Sequence, residues 1–427
     1  MAIPQGDSIA KTRYLLFLAL FAGTLLLTAA CAGEDAAPAA PAAPITTAEP
    51  VTRSDTAVTA QIEVDEAEEE AKPATGQAGN EQLVPELRDV SGWVNTEPFT
   101  LESLRGQVVL VDFWTYTCIN CIRTLPYLKD WHDKYADQGL AIVGVHTPEF
   151  DFEKDHENVK TAVKEYGLTY RIAQDNDYGT WNAFKNRYWP AKYLVDKDGY
   201  IRYTHFGEGA YEETEQKIRE LLAETGTSFS AEFEPLAARE YDPGVYTDDP
   251  ATSLTRELYA GYERNYGALQ FRAAPPYIRN EEYYSGPDRE LQYKDPGAHE
   301  NHFIYLQGLW RNNPESIVHA RATQAYEDYI ALKFYATSAN AVMSQPAEGP
   351  ATVRVTLDGM PLTESQAGQD IRWDEAGNSY IVVDTSRMYY VVDIPEFGGH
   401  ELTLSSNEEG FELFAFTFGA FTRAGES

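Results

Sequence analysis

Cysteines and basic side chains are scarce in this sequence, and each scarcity narrows the classes of protein that fit it. Only 3 of the 427 residues are cysteines, Cys31, Cys118 and Cys121. Cys118 and Cys121 would close only a very small loop, which stabilises a fold little, so this pair is better explained by chemistry than by stapling. The 34 lysines and arginines stand against 67 aspartates and glutamates, a formal net charge of −33. Nucleic-acid binding needs basic surface, so we predict no nucleic-acid partner.

Residues 1–30 have the pattern of an export signal. Two basic residues precede the apolar run 14–27, and small residues lead to Cys31; this order is typical of a secretory signal peptide. A cysteine at this place resembles a bacterial lipobox. The resemblance implies cleavage before Cys31, a lipid on Cys31, and export to a bacterial periplasm or cell surface with the lipid membrane as a partner. An uncleaved membrane anchor is the alternative, because Thr28 stands where that motif usually has leucine.

The length of the chain fits two or three domains, and its composition changes along the sequence. Residues 31–81 are rich in Ala, Pro, Thr and Glu and contain few large apolar side chains, which predicts a disordered acidic tether. We expect a first folded domain at 82–225, a linker at 226–251 and a second folded domain at 252–427.

The first domain alternates between apolar runs and helical patterns, which predicts an α/β fold with a buried sheet covered on both faces. The predicted strands are Val108–Phe113, Leu140–His146, Arg171–Gln174, Ala191–Val195 and Ile201–Phe206, and the predicted helices are Cys118–Tyr135, Glu157–Tyr166, Tyr178–Asn186 and Tyr211–Glu224. The run Asp196-Lys-Asp-Gly199 predicts a hairpin between the last two strands.

The second domain is rich in Tyr, Phe, Val and Thr in short alternating runs, which is typical of a β-sandwich or jelly roll. Turn signals at Asp358-Gly, Glu375-Ala-Gly and Phe397-Gly-Gly separate these runs. Five aromatic residues could form a platform for a carbohydrate, although aromatic residues of an all-β domain more often belong to its core. These are Tyr277, Tyr283, Tyr284, Trp310 and Trp373.

Cys118 and Cys121 stand three positions apart where a predicted strand meets a predicted helix. Such a pair can form and break a disulfide reversibly, and the helix N-terminus favours the thiolate of its first cysteine. Half of a zinc site is the alternative, but a structural zinc site needs four ligands and the sequence has no second cysteine pair. His299 and His302 are better explained as solvated side chains. We therefore predict no metal and no cofactor.

The run Phe113-Trp-Thr-Tyr-Thr-Cys-Ile-Asn-Cys-Ile-Arg-Thr-Leu-Pro126 resembles the thioredoxin superfamily, in its exported TlpA/ResA-like branch. It is most similar to the redox domain of DipZ-type proteins, in which a carbohydrate-binding-module-like β-sandwich follows. The resemblance implies that Cys118 is the attacking thiol and Cys121 the resolving one. Pro126 matches the proline within the first helix of thioredoxins.

The resemblance also implies roles for two carboxylates. Asp112 matches the buried acid beneath the resolving cysteine, and burial would raise its pKa so that it accepts the Cys121 proton. Glu149 falls where the TlpA/ResA-like branch has an acidic residue after a strand. A solvated loop carboxylate is the alternative explanation of Glu149.

Three residues are expected at the substrate-binding surface. Pro190 matches the cis-proline that lies beside the sulfurs in this superfamily, and Trp189 before it would form part of the substrate wall. Thr117, which stands where thioredoxin has tryptophan, would border the same surface.

The predicted function is reduction of disulfides in exported client proteins by a membrane-anchored thiol–disulfide oxidoreductase. The resemblance implies a separate membrane electron donor of the CcdA/DsbD kind. Two alternatives stay open. The first is a thiol peroxidase, because Thr115-x-x-Cys118 superficially resembles a peroxiredoxin, although Val111 stands where that family has proline. The second is a surface lipoprotein whose sandwich binds carbohydrate or protein, with the redox domain as scaffold.

Overall fold

The computed structural model describes residues 82–421, apart from 230–233, 238–241, 243–244, 246 and 272–274. The predicted signal peptide, Cys31 and the predicted tether all lie outside the described residues, as do parts of the predicted linker. Within the part of the chain that is described, no helix is long and apolar enough to cross a membrane.

The first domain is a seven-stranded sheet with apolar cores on both faces. Its strands are β1 (Gln82–Leu83), β2 (Gly92–Val94), β3 (Val108–Trp114), β4 (Leu140–His146), β5 (Arg171–Gln174), β6 (Ala191–Val195) and β7 (Tyr200–Phe206). Its helices are α1 (Ile119–Tyr135), α2 (His156–Glu165), α3 (Gly179–Ala183) and α4 (Tyr211–Glu224). The strand order is β1-β7-β6-β3-β4-β5-β2. Strands β3, β4 and β5 are parallel, and β3 also pairs antiparallel with β6.

The position of β3 in the middle of this sheet follows from its sequence. All seven of its residues are buried, as expected for a strand covered on both faces. Successive side chains alternate between the two cores: Leu110 packs with α1, α2 and α4, whereas Val111 and Phe113 pack with the opposite core around α3. The strand therefore ends at a fixed, buried place, and the cysteine pair follows four residues later.

The predicted strands and helices of the first domain are confirmed, with one clear shortening. Helix α3 was expected to extend to Asn186 but ends at Ala183. Lys185 has φ of 55°, a left-handed conformation that a continuing helix does not allow. The hairpin at Asp196–Gly199 is also confirmed: Gly199 has φ of 88°, and its N–H donates to Asp196 O at 2.9 Å.

The second domain is a largely antiparallel β-structure with one helix of its own. Its elements are β8 (Leu258–Tyr259), α5 (Tyr262–Phe271), β9 (Glu290–Tyr293), β10 (Phe303–Asn312), β11 (Ile317–His319), β12 (Tyr329–Ser344), β13 (Ala351–Leu357), β14 (Met360–Pro361), β15 (Arg372–Trp373), β16 (Ser379–Val383), β17 (Arg387–Ser406) and β18 (Glu412–Gly419).

Two long strands join the layers of this β-sandwich. The first half of β12 pairs with β10 and with the second half of β17, whereas its second half pairs with the first half of β17 and with β18. The register between β12 and β17 shifts near Ala336 and Ser338. Such irregularities let one strand pass from one layer to the next, so the predicted all-β sandwich is confirmed.

One predicted turn of the second domain is wrong. Phe397-Gly-Gly was expected to end a strand but lies inside β17, where Gly399 pairs with Tyr335 of β12. A Cβ at Gly399 would come within 2.5 Å of the Tyr335 ring. The glycine is therefore present because an aromatic ring covers it, and glycine inside a strand commonly marks such a close approach. The turn predicted at Asp358-Gly359 is confirmed, with φ of 52° and 76°.

Of the two explanations of the five aromatic residues, a place in the core holds for Tyr283 and Trp310, and the carbohydrate platform is excluded for these two. Tyr283 and Trp310 have no exposed surface and belong to the main core of the second domain. Tyr277 and Tyr284 pack against that core, and only Trp373 is exposed.

The described residues of the predicted linker up to Ala237 lie against the first domain, whereas Asp242 and Ala251 are hydrogen-bonded to the second. Tyr127 of α1 donates a hydrogen bond to Ala237 O at 3.1 Å, and Lys134 donates to Glu234 O at 3.1 Å. Phe229 packs edge-on against Tyr135 with ring centroids 6.0 Å apart. The chain therefore leaves the first domain along helix α1, the helix that begins at the cysteine pair.

Candidate active site

The cysteine pair lies at the N-terminus of α1, as the sequence predicts. Cys118 is the N-cap residue, with φ of −74° and ψ of 113°, and its sulfur accepts a hydrogen bond from the N–H of Cys121 at 3.2 Å. Both side chains are free thiols. The strand–turn–helix arrangement thus places two sulfurs at the positive end of a helix, where a disulfide can form within one turn.

Burial opposes the acidity that the sequence suggested for Cys118. The two side chains are only 8% and 1% exposed. Burial, which penalises the charged form, is the largest influence on Cys118 and raises its pKa, although the N–H of Cys121 acts in the opposite direction. Burial also raises the pKa of Cys121 well above its ordinary value. The helix therefore favours the thiolate, but desolvation outweighs it in this arrangement.

A buried acid–base pair lies beneath Cys121. Asp112 of β3 stands opposite Lys192 of β6 in the sheet, and the two side chains are 1% and 0% exposed. Burial raises the pKa of Asp112 to about 7, while the charge of Lys192 lowers it. Burial likewise lowers the pKa of Lys192, while Asp112 and Cys121 raise it. Asp112 can thus take up or release a proton near neutral pH.

Neither member of this pair is satisfied by hydrogen bonds. Asp112 Oδ1 and Lys192 Nζ have no hydrogen-bond partner among the described residues. An unsatisfied buried polar group is costly and calls for an explanation; proton transfer with Cys121, the role expected of Asp112, stays a prediction. Asp112 was predicted for this place, whereas Lys192 was missed. The available signal was a lysine two residues after Pro190, inside an otherwise apolar buried strand.

The peptide bond between Trp189 and Pro190 is cis, as predicted. Trp189 is half-buried, donates from Nε1 to Thr147 O at 3.1 Å, and packs on Trp181 with ring centroids 4.2 Å apart. This fixes the tryptophan at the C-terminal edge of β4. Its role in the substrate wall, and that of Pro190, stay predictions.

The Thr117 side chain faces inward. It is 1% exposed, and its hydroxyl donates to Glu153 Oε1 at 2.6 Å. The structure therefore does not support a side-chain contact between Thr117 and a substrate, because the hydroxyl is bound internally.

Glu153 was missed by the sequence analysis although it is central to the local structure. It is fully buried, and its second oxygen accepts the N–H groups of Glu149 and Phe150 at 2.6 and 3.0 Å. Burial raises its pKa to about 7, and its hydrogen bonds act in the opposite direction. It ties the loop after β4 to Thr117, next to Cys118. An acidic residue in a short helical turn gave no signal of this role.

Glu149 contacts the second domain rather than solvent, so the solvated-loop alternative is wrong. Its Oε1 accepts hydrogen bonds from Tyr259 Oη and from Arg264 Nη2, both at 2.9 Å. Tyr259 Oη also lies 2.9 Å from Glu257 Oε2. The predicted catalytic role of Glu149 stays a prediction, but its setting is a buried polar group shared between the two domains.

An apolar interface surrounds these polar contacts. Phe414 of β18 packs against the rings of Phe150 and Phe152, with centroids 5.2 and 4.9 Å away. Ile119, inside the cysteine motif, belongs to the same cluster as Tyr259. The second domain therefore packs against the first turn of α1, next to Cys118.

No group of three or more His, Cys, Asp or Glu side chains within the described ranges is arranged to hold a metal ion. The site consequently offers thiol, carboxylate and amine chemistry from the chain's own residues.

A thioredoxin-like fold with a dithiol at a helix N-terminus defines a class of redox proteins, and comparison with known proteins gives the family. Residues 85–204 match the AhpC/TSA family, and residues 255–419 match a thioredoxin-like C-terminal domain. The thiol-disulfide oxidoreductase YkuV of Bacillus subtilis is 35% identical over 145 residues, which are 34% of this chain and 97% of YkuV. The chain belongs to the thioredoxin-like thiol–disulfide oxidoreductase family.

A second relative matches both domains. Protein DipZ of Mycobacterium tuberculosis is 33% identical over 353 residues, which are 78% of this chain and 42% of DipZ. The chain thus matches less than half the length of this relative. Among solved structures, a thioredoxin-like protein in the oxidised form is 33% identical, covers 34% of this chain and 97% of its own, and has a TM-score of 0.32.

Proposed function

We propose that this protein is an exported, lipid-anchored thiol–disulfide oxidoreductase that reduces disulfides of exported client proteins. Cys118 attacks the client, Cys121 resolves the mixed disulfide, and a separate membrane donor of the CcdA/DsbD kind restores the dithiol. The lipid on Cys31 holds the molecule at the membrane.

One observation carries the redox part of this proposal. The Cys121 N–H donates to the Cys118 sulfur at the start of α1, and the Asp112–Lys192 pair lies beneath the second sulfur. This gives the two sulfurs different environments, one at the helix end and one above a proton acceptor. Two thiols with separate tasks need such a difference.

The residues then account for each step of the exchange. The Cys118 thiolate attacks one sulfur of the client disulfide, forming a mixed disulfide and releasing the other client sulfur, which takes up a proton. Cys121 passes its proton to Asp112 and attacks the Cys118 sulfur. The second client sulfur leaves as a thiolate and takes up the proton held by Asp112, and the Cys118–Cys121 disulfide remains. The client gains two electrons and two protons: the electrons and the Cys121 proton come from this protein, and the first client sulfur takes up the proton that Cys118 released to solvent when it ionised.

The peroxidase alternative has less support. That reading needs the Thr115 hydroxyl to serve the Cys118 sulfur, but Thr115 Oγ1 lies 3.4 Å from His146 Nε2. His146 is fully buried, and burial lowers its pKa to about 3, so it stays neutral and keeps this partner. Val111 occupies the position at which peroxiredoxins have proline, and it is an ordinary paired residue of β3.

Insulin reduction with the full chain tests the proposal. Cys118→Ser should abolish turnover, whereas Cys121→Ser should form a mixed disulfide that mass spectrometry finds on Cys118. Hydrogen peroxide consumption by the reduced protein is the companion measurement. Peroxide turnover without insulin reduction or mixed disulfide would overturn the proposal in favour of a peroxidase.

A further inference from the structure

A tyrosine of the second domain stands between two carboxyl groups close to the redox site. Tyr259 Oη lies 2.9 Å from Glu149 Oε1 and 2.9 Å from Glu257 Oε2. A phenol has one proton to donate, so it can donate to only one of the two carboxylates. For both contacts to be hydrogen bonds, the other carboxyl group must carry a proton and donate it to the tyrosine oxygen.

Arg264 decides which carboxyl group holds that proton. Its guanidinium donates to Glu149 Oε1 at 2.9 Å and lies over the Tyr259 ring, 4.4 Å from the centroid. An adjacent guanidinium favours the ionised form of a carboxyl group. Glu149 is therefore the carboxylate that accepts from Tyr259, and Glu257 is the acid that donates to it.

Glu257 also lies next to the cysteine motif. It lines a cavity of about 220 Å³ together with Asn120, which stands between the two cysteines. Ile119, which precedes Asn120, packs in one apolar cluster with Tyr259. A residue of the second domain, more than 130 positions from Cys118 in the chain, therefore reaches the first turn of α1.

Titratable and charged groups from both domains surround Cys118 and Glu257. Cys121 of α1, Glu149 of the loop after β4, and Glu257 at the entry to β8 face the Cys118 sulfur. Glu149, Arg264 of α5 and Arg123 of α1 act on Glu257. Arg123 also contacts Glu208 at 3.6 Å, so much of its charge is balanced elsewhere.

We propose that Glu257 is a positioning residue of the redox site: through its charge, the second domain controls the ionisation of Cys118. This inference rests on the proposed function. When Glu257 is neutral it permits the Cys118 thiolate, and when it is ionised it opposes the thiolate. Burial, followed by the charge of Glu149, raises the pKa of Glu257 to about 7. Glu257 therefore titrates near neutral pH, below the raised pKa of Cys118, and its change of charge acts on the Cys118 thiol.

Alkylation of the reduced full-length protein by iodoacetamide, mapped to Cys118 by peptide mass, tests this control. In the wild type the rate should rise with pH and level off above about pH 7, because each further ionisation of Glu257 opposes the thiolate. It should rise again once the pH exceeds the pKa of Glu257 by as many units as ionised Glu257 raises the pKa of Cys118. In Glu257→Gln the level region should vanish, so that the variant equals the wild type below pH 6 and reacts about tenfold faster at pH 8.

Tyr259→Phe gives a second, independent variant. Tyr259 accepts from neutral Glu257 and donates to it once Glu257 is ionised, and the second, charge-assisted hydrogen bond is the stronger of the two, so Tyr259 lowers the pKa of Glu257. Removal of its hydroxyl should therefore move the onset of the level region to higher pH without abolishing it. An onset that does not move in Tyr259→Phe counts against the proposal.

Glu315→Gln is the matched control, because Glu315 is another interface carboxylate, accepting the Asp151 N–H at 2.8 Å, yet it does not act on Cys118. It should leave the profile unchanged. If Glu257→Gln raises alkylation equally at every pH, the residue only closes the interface and the proposal is overturned; an unchanged profile overturns it too. Alkylation needs no client, so a failure to reduce insulin would refute the proposed function and leave this result intact.

Discussion

The two sulfurs of the motif stand only three residues apart, yet different domains supply their proton-handling neighbours. Cys121 faces Asp112 and Lys192, both from the sheet of the first domain. Cys118 faces Glu149 together with Glu257 of the second domain. Cys121 thus has these neighbours within one domain, whereas the surroundings of Cys118 depend on how the two domains meet. A thioredoxin-like unit can therefore keep its internal chemistry while an added domain adjusts its reactive sulfur.

Asp112→Asn should give the largest effect and would sharpen this contrast. An asparagine cannot take the Cys121 proton, so we expect insulin reduction at pH 7 to fall about 100-fold, the usual scale of general acid–base catalysis. Cys118 alkylation should stay within twofold of the wild type, since Asp112 acts on the other sulfur. A large change in Cys118 alkylation would show that the two environments are not separate.

Phe414→Ala should have the next largest effect, and it tests whether the interface between the domains controls the reactivity of Cys118. The substitution removes the ring that packs on Phe150 and Phe152, which should cost about 3 kcal/mol of unfolding free energy. A loosened interface should raise Cys118 alkylation about tenfold at every pH. Phe411→Ala, in the core of the second domain, is the matched control, with a similar loss of stability in urea but unchanged alkylation. Equal alkylation in both variants would contradict the covering role of the interface.

Glu153→Gln should change redox rates least, by less than twofold, and act on stability instead. A carboxyl group whose pKa rises on folding from 4.5 to about 7 binds its proton more tightly in the folded state. Stability therefore falls as the pH rises through that range. Glutamine does not titrate. Raising the pH from 5 to 8 should therefore lower the unfolding free energy of the wild type by about 2 kcal/mol more than that of the variant. Urea unfolding at both pH values measures it, with the exposed Glu102→Gln as control; an equal difference at both would refute the buried proton.

The sequence predicted the parts of the site whose signals are local. The cysteine spacing, the apolar run before it, Pro190 and Asp112 all lie within recognisable patterns of strand, turn and helix. Lys192 had a local signal that was missed, a lysine inside an apolar buried strand. Glu153 and Glu257 could not be found in this way, because contacts far along the chain determine their surroundings. The failed turn at Phe397-Gly-Gly has the same cause: the glycine responds to Tyr335, on a different strand. For the same reason the sequence did not predict the interface between the two domains. The burial of Cys118, which raises its pKa, was therefore not predicted either.

The small exposed fraction of Cys118 also bears on how long the reduced protein lasts. A sulfur that is 8% accessible and mostly protonated collides productively with dissolved oxidants far less often than an open thiolate does. We therefore expect the reduced form of the cysteine pair to persist longer in the presence of dissolved oxygen than an exposed dithiol would.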